Sequence, residues 1–281
     1  MTTIGEKLAH GERSLANVTE TPRLDAEILL CDALSLTRPQ LLARLTEAVE
    51  APRFQSLLDR RAAHEPIAYI LGEWEFYSLP LYVTPPLLVP RPETEHLVDR
   101  VLRFIGNDSC HVLDLCTGTG CAAVAIAKNA PQAHVTATDI NPTAIQIAER
   151  NAVRHDVRDR ISFSQGDLFD PLAAPTASFD IISANPPYVE DGDWDSLAPV
   201  IRLYEDPRAL KAGADGLDLV RRIAASAQAY LRDGGLLAME IGAGQAAAAR
   251  AIVEEHQYDN IEFEPDLAGI ERVLLAQKPN R

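Results

Sequence analysis

The stretch HVLDLCTGTGCAAVAIAKN, residues 111–129, reads as strand, turn and helix in immediate succession. His111 to Leu115 is a short apolar run of strand length. Cys116 to Gly120 is a glycine-rich turn, and the alanine-rich segment after it favours helix. Outwards from this unit the alternation continues. HVTATD (134–139) is a second strand, and a helix starts from Asn141 with Pro142 in its first turn. ISFSQ (161–165) and FDIISAN (179–185) are a third and a fourth strand. A helix over 216–231, a strand GLLAMEI (235–241) and a helix from Gln245 follow. NIEFEP (260–265) and ERVLLAQ (271–277) close the chain. Strand alternating with helix predicts an α/β fold, a parallel sheet covered on both faces. The last two strands have no helix between them, so one of them is expected to run antiparallel.

The N-terminal part differs. Residues 1–72 read as a small helical domain, with apolar residues at helical spacing over 23–34 and 39–48. Residues 73–92, beginning EWEFYSLPLYVTPPLLVP, are aromatic, β-branched and interrupted by proline, which suits a hairpin linker. Residues 93–281 form the α/β domain.

The 281 residues carry a net charge of −15, and both the first 88 residues and the remainder are acidic. A nucleic-acid binder needs clustered Lys and Arg to neutralise phosphates, so no direct nucleic-acid partner is expected. No apolar run reaches the roughly 20 residues that span a bilayer, and the first residues lack the apolar core of a signal peptide. A cytoplasmic protein without a membrane partner is the expectation, and a monomer. Cys31, Cys110, Cys116 and Cys121 form no C-x-x-C pair, and the seven histidines show no ligand spacing, so no metal site is expected.

Gly118 and Gly120 suggest a backbone that a ligand approaches closely, because no Cβ intrudes. Asp139 ends the second strand, where a carboxylate can accept hydrogen bonds from two ribose hydroxyls. Two cofactors fit this much. Gly118-x-Gly120-x-x-Ala123 also satisfies the dinucleotide pattern. Asp114, at the end of the first strand, disfavours a pyrophosphate and suits a cationic sulfonium, which points to S-adenosyl-L-methionine. After the third strand, Asp167 is placed to accept adenine amino hydrogens. Leu168 and Phe169 suit either the adenine ring or ordinary core packing.

The most specific segment is Asn185-Pro186-Pro187-Tyr188, after the fourth strand. An amide –NH2 is a weak nucleophile, so a site must hold both N–H groups and aim the nitrogen. Asn185 Oδ1 can accept one hydrogen and the Pro186 carbonyl the other. Two prolines stiffen the loop and remove backbone donors. Tyr188 offers a flat face to a planar group. Together with the glycine loop and Asp139, this segment favours S-adenosyl-L-methionine over a nicotinamide cofactor.

With these residues in hand, the chain resembles the PrmC/HemK protein-(glutamine-N5) methyltransferases of peptide-chain release factors over nearly its whole length. The carrying motifs are Glu65 to Gly72, Glu75 to Leu81, Leu88 to Glu95, the Asp114 loop, Asp139, Asn185 to Tyr188 and Gly213 to Leu217. The resemblance implies a seven-stranded class I, Rossmann-like methyltransferase domain with a small helical N-terminal domain, whose separation from the catalytic half makes it the expected substrate-docking domain. It implies methyl transfer to the glutamine amide of the Gly-Gly-Gln loop of release factors, in translation termination. Cys116, Thr117, Gly118, Thr119, Gly120, Asp139, Asp167, Leu168 and Asn185 would hold the cofactor. Asn185, Pro186, Pro187 and Tyr188 would hold the glutamine, with Asn185, Pro186 and Tyr188 catalytic. Cys116 departs from the family's usual glycine, and Leu168 stands where some relatives carry an aromatic. Two other substrates present the same planar –NH2: a nucleic-acid adenine, which the acidic balance disfavours, and a ribosomal-protein glutamine, whose enzymes differ at Arg91-Pro92-Glu93-Thr94. No role is assigned to Tyr204 to Arg208, and the acidic stretch Glu190 to Asp193 is expected to be a solvated loop.

Overall fold

The computed structural model of the protein describes residues 2–172 and 178–280. Two compact units emerge: Met1–Gly72 with Ala198–Tyr204, and Glu73–Leu197 with Glu205–Arg281.

The first unit contains β1 (Thr2–Thr3), α1 (Ile4–Leu15), α2 (Pro22–Leu34), α3 (Arg38–Leu42), β2 (Ala48–Val49), α4 (Phe54–Ala62) and α5 (Ile67–Leu71). Thr3 and Glu6 form a reciprocal capping box that starts α1, and Thr37 with Gln40 repeats it at α3. Ile4, Leu8 and Leu15 of α1 meet Leu29 and Leu30 of α2 and Phe54, Leu57 and Leu58 of α4 in one apolar core. A Cβ on Gly11 would lie 2.8 Å from the Ala26 Cβ, so glycine lets α1 and α2 approach. Arg61 and Asp25 pair at 2.7 Å inside this core. The helix expected over 39–48 stops at Leu42. Ile4 N–H donates to the Glu47 carbonyl, Gly5 N–H to that of Leu45, and β1 pairs antiparallel with β2. A five-residue helix gains little from propensity, so these tertiary partners win.

The second unit opens with a hairpin, β3 (Glu73–Phe76) and β4 (Leu79–Tyr82). Tyr77 and Ser78 close it, both with positive φ, as the twist of a two-residue hairpin turn demands. There follow α6 (Glu93–Ile105), β5 (Cys110–Leu115), α7 (Cys121–Asn129), β6 (Ala133–Asp139), α8 (Pro142–Arg154), β7 (Ile161–Gln165) and β8 (Phe179–Ala184). The short α9 (Pro199–Arg202) falls within the segment that groups with the first unit, where the Tyr204 hydroxyl donates to the Ala63 carbonyl at 2.8 Å. Sequence order alone would have left that segment in the α/β domain. The chain ends with α10 (Asp218–Ala227), β9 (Leu231–Glu240), α11 (Ala246–Glu255), β10 (Asp259–Pro265) and β11 (Glu271–Gln277). The helix expected over 216–231 is shorter, because Leu231 already pairs with Phe179 and begins β9.

The seven-stranded sheet has the order β10-β11-β9-β8-β5-β6-β7, and β11 alone runs against its neighbours. Side chains alternate between its faces. Val112, Ile181, Ala238 and Val273 pack under α6 and α7. Leu113, Ile182, Leu237 and Leu274 pack under α10 and α11. β5 lies between β6 and β8, so the connections leave it in opposite directions and open a crevice at the strands' carboxyl ends. Leu115, Asp139, Gln165, Ala184 and Glu240 are the last residues of the five strands joined by parallel pairing, and all lie on that edge.

Candidate active site

β5 hands over to α7 through Cys116 to Gly120. Thr117 N–H donates to the Thr138 carbonyl, and Gly118 N–H to Asp139 Oδ2 at 2.8 Å. Asp139 Oδ1 accepts from Asn141 N–H, also at 2.8 Å. Each oxygen thus keeps a lone pair for a ligand. Burial raises the Asp139 pKa against the pull of these two backbone donors.

A cavity of about 260 Å³ opens here, with Gly118, Asp139, Asp167, Leu168, Asn185 and Pro187 in its wall. Leu168 is buried, and its carbonyl accepts from the Thr138 hydroxyl. Phe169 instead stacks on Tyr230 at 4.7 Å in the core, which decides between its two expected roles. Asp167 accepts from Arg222 at 2.7 Å, so one of its oxygens is already engaged. Asp206 and Arg208, paired with each other at 2.7 Å, face the same cavity.

A smaller, adjoining cavity of about 30 Å³ is lined by Thr94, Asp114, Cys116, Thr117, Thr119 and Asn185, among others. Two expectations need correction here. Asp114 is no open anion. It is buried, its oxygens accept from Thr117 Oγ at 2.6 Å and Ser183 Oγ at 2.8 Å, and desolvation pushes its pKa up to about 6. It braces the loop from behind. Gly120 lines neither cavity; a Cβ there would sit 2.8 Å from the Ala148 Cβ of α8. Its lack of a side chain serves helix packing rather than ligand approach. Gly118 is the glycine that faces open space, with φ of 57°. Cys116 holds φ of 56°, a left-handed conformation that costs nothing to glycine, which gives a backbone reason for glycine at this position.

The cavities fit S-adenosyl-L-methionine on three observations. Asp139 has free acceptor capacity for a diol, Leu168 provides an apolar wall, and the Thr119 hydroxyl is buried without a hydrogen-bond partner among the described residues. An unpaired buried donor is costly unless a ligand meets it.

β8 delivers the Asn185 loop. Asn185 Nδ2 donates to Thr94 Oγ at 2.9 Å, and Thr94 Oγ donates to Glu240 Oε2 at 2.6 Å. The Tyr188 hydroxyl helps to hold down the Glu240 pKa. Gln245 Nε2 donates to the Tyr188 carbonyl at 3.0 Å, while Gln245 Oε1 accepts from Gly242 N–H. A Cβ on Gly216 would lie 2.2 Å from the Tyr188 oxygen, so glycine is needed for this clamp. Among the described residues, no donor reaches Asn185 Oδ1 or the Pro186 carbonyl. Asn185 and Pro187 line the large cavity, while Pro186 and Tyr188, also expected to hold the substrate, are not part of its lining. The sequence did not reveal Thr94, Glu240 or Gln245 as part of this site. A carboxylate inside the apolar run of β9 was the available signal, because buried Glu is rare without partners. Beyond the loop, Glu190 to Asp193 is exposed as expected, and Asp191–Ser196 forms a 3-10 turn with Asp191 paired to Lys211.

Residues 6–72 match the PrmC N-terminal domain, and residues 94–202 match the methyltransferase small domain. The release factor glutamine methyltransferase of Moorella thermoacetica is 41% identical over 283 residues, covering 98% of this chain and 99% of that protein. The chain belongs to the release factor glutamine methyltransferase family. The Vibrio cholerae member is 43% identical over 262 residues, 92% of this chain and 91% of its own. Among solved structures, a methyltransferase from Pyrococcus furiosus superposes with a TM-score of 0.54 at 17% identity, over 79% of this chain and 98% of that one. At that identity it shows the fold alone. Family membership makes the chain an S-adenosyl-L-methionine-dependent methyltransferase with a Rossmann-like fold, as the glycine loop, Asp139 and the Asn185–Tyr188 segment together implied. No helix among the described residues is long and apolar enough to cross a membrane.

Proposed function

We propose that the protein methylates the side-chain amide nitrogen of the glutamine in the Gly-Gly-Gln loop of peptide-chain release factors, in the cytoplasm. The observation that carries this is the polarity of the Asn185 amide. Its nitrogen is spent on Thr94, so its oxygen is left, with the Pro186 carbonyl, as a pair of acceptors for the two hydrogens of a planar –NH2.

Asp139 would hold the ribose hydroxyls, Leu168 and Asp167 would flank the adenine, and Cys116 to Thr119 would line the aminoacyl tail. When bound there, S-adenosyl-L-methionine supplies a methyl group activated by sulfonium. The chain's own part is positioning. Asn185 Oδ1 and the Pro186 carbonyl hold the amide N–H groups, so that the nitrogen's remaining density points into the cavity. Holding reacting atoms within about 3–3.5 Å supplies much of the acceleration. As the nitrogen gains a methyl and positive charge develops, the same two oxygens stabilise the more acidic N–H groups. The methyl would pass from sulfur to the amide nitrogen, with the S–C bonding pair staying on sulfur, and the surplus amide proton would leave to water. No residue is required as a base, because a methylated amidium is strongly acidic. Residues 1–72 would dock the factor.

The test is incorporation of labelled methyl from S-adenosyl-L-methionine into purified release factor, a ribosomal glutamine-bearing protein, or DNA and RNA. Label is expected in the release factor, at its Gly-Gly-Gln glutamine. Label in nucleic acid or the ribosomal protein, with none in the factor, would overturn the reading.

A further inference from the structure

Glu240 ends β9 with 1% of its surface exposed. Thr94 Oγ donates to its Oε2 at 2.6 Å. Thr94 in turn accepts from Asn185 Nδ2 at 2.9 Å. We propose that Glu240 is a positioning residue that sets the polarity of the substrate clamp: by accepting the Thr94 proton, it forces Asn185 to present oxygen, not nitrogen, to the substrate amide.

This rests on the functional reading above and deepens it. The logic is a count of protons. A hydroxyl has one proton to give. An ionised carboxylate accepts only, so Thr94 must spend its proton on Glu240. Thr94 can then only accept from Asn185, and an asparagine amide has a donor end and an acceptor end. With the donor end fixed on Thr94, Oδ1 is turned to the cavity. A protonated carboxyl, or a glutamine in its place, can donate to Thr94 instead. The Thr94 proton is then free to turn to Asn185 Oδ1. The amide rotates by half a turn and offers –NH2 to a substrate –NH2. Two donors face each other and the clamp is lost.

The surroundings make the charge state of Glu240 sensitive. Burial pushes its pKa up to about 7; the Thr94 and Tyr188 hydroxyls and Arg272 pull it down, while Glu93 pushes it up. The Cys121 thiol also feels its charge. Clamp polarity is therefore expected to be lost as pH falls through about 7, because only the ionised form enforces it.

The experiment measures methylation of release factor by wild type, Glu240→Gln, Thr94→Val and Thr94→Ser, across pH 5.5–8.5, with cofactor affinity measured on each protein. Glu240→Gln and Thr94→Val are each expected to lower kcat by about 10²-fold, the usual scale for one misdirected polar group at a reacting centre. Cofactor affinity and KM for the factor should stay within about threefold, since the interaction lost belongs to the transition state. Thr94→Ser, which keeps the hydroxyl, should recover most of the rate. The acid limb of the wild-type kcat profile should vanish in Glu240→Gln. Retained cofactor affinity reports that each variant is folded, and Thr94→Val decides if Glu240→Gln is not. Wild-type kcat in Thr94→Val, or an unchanged acid limb in Glu240→Gln, would overturn the proposal. A wild-type protein that leaves release factor unlabelled would overturn the functional reading instead, and this inference with it.

Discussion

The Asp139 carboxylate already accepts the N–H groups of Gly118 and Asn141, and so it ties the glycine loop to the start of α8 before any ligand arrives. Its remaining lone pairs are what a ribose diol needs. Asp139→Asn keeps the shape but removes the charge and half of the acceptor capacity. Hydrogen bonds to a charged group are worth about 1.5–3 kcal/mol each, so the cofactor Kd is expected to rise by at least about tenfold. Calorimetric titration of the variant checks this; an unchanged Kd would remove Asp139 from the ribose. Its place in the cavity wall was legible in the sequence because an acid at the end of an apolar strand has few purely structural reasons to be there. Gly120 was misjudged for a related reason. A glycine next to a ligand loop looks the same in sequence whether a ligand or a helix approaches it, and only the Ala148 contact tells them apart. Asp114 was correctly seen as unusual. Its environment, two hydroxyl donors in a buried pocket, depends on Ser183 from a strand 69 positions away.

At the scale of elements, strand and helix order was recoverable because hydrophobic periodicity is local. Most strands were located within one or two residues, and the reversed strand near the end followed from its missing crossover helix. The failures are where a distant partner decided the outcome. The end of α3 is set by pairing with the chain's first residues, and the start of β9 by Phe179. The Asn185 loop is likewise fixed by elements that sequence order does not bring near it: α6 through Thr94, and the turn before α11 through Gln245. Gln245 holds this loop through Nε2, while its Oε1 accepts from Gly242 N–H in its own turn. Gln245→Ala leaves the Tyr188 carbonyl and Gly242 N–H without these partners. Stability is expected to fall by about 1–3 kcal/mol, the cost of buried polar groups left unpaired. Urea denaturation checks it, and an unchanged midpoint would mean the clamp contributes nothing to holding the loop.

For the whole molecule, two buried carboxylates at the sheet's carboxyl edge should leave a mark on stability. Asp114 and Glu240 have folded-state pKa values raised to about 6 and about 7 by burial. The unfolded chain ionises them at ordinary carboxylate values. Above the folded pKa, the fold holds charges that water would hold better, so each costs stability there. As pH falls through the folded pKa, the native state binds the proton first and the cost is relieved. The melting temperature is thus expected to rise from pH 8 to pH 6, and the net charge of −15 adds self-repulsion that acid also relieves. Asp114→Asn should flatten part of that slope; a melting temperature that falls steadily from pH 8 to pH 6 would contradict the burial of these charges. Below that range, groups such as Asp215, whose pKa Arg221 lowers to about 2, lose their pairing and stability declines.

The claim beneath all of this is that two oxygens, Asn185 Oδ1 and the Pro186 carbonyl, hold a substrate amide for methyl transfer. The direct measurement is single-turnover methylation of release factor by Asn185→Ala, beside the cofactor Kd of the same variant. The account predicts transfer slower by at least about 10²-fold, the scale of one lost polar contact at a reacting centre, with cofactor affinity within about tenfold of wild type. Transfer at the wild-type rate, or a loss accounted for entirely by failure to bind cofactor, would contradict it.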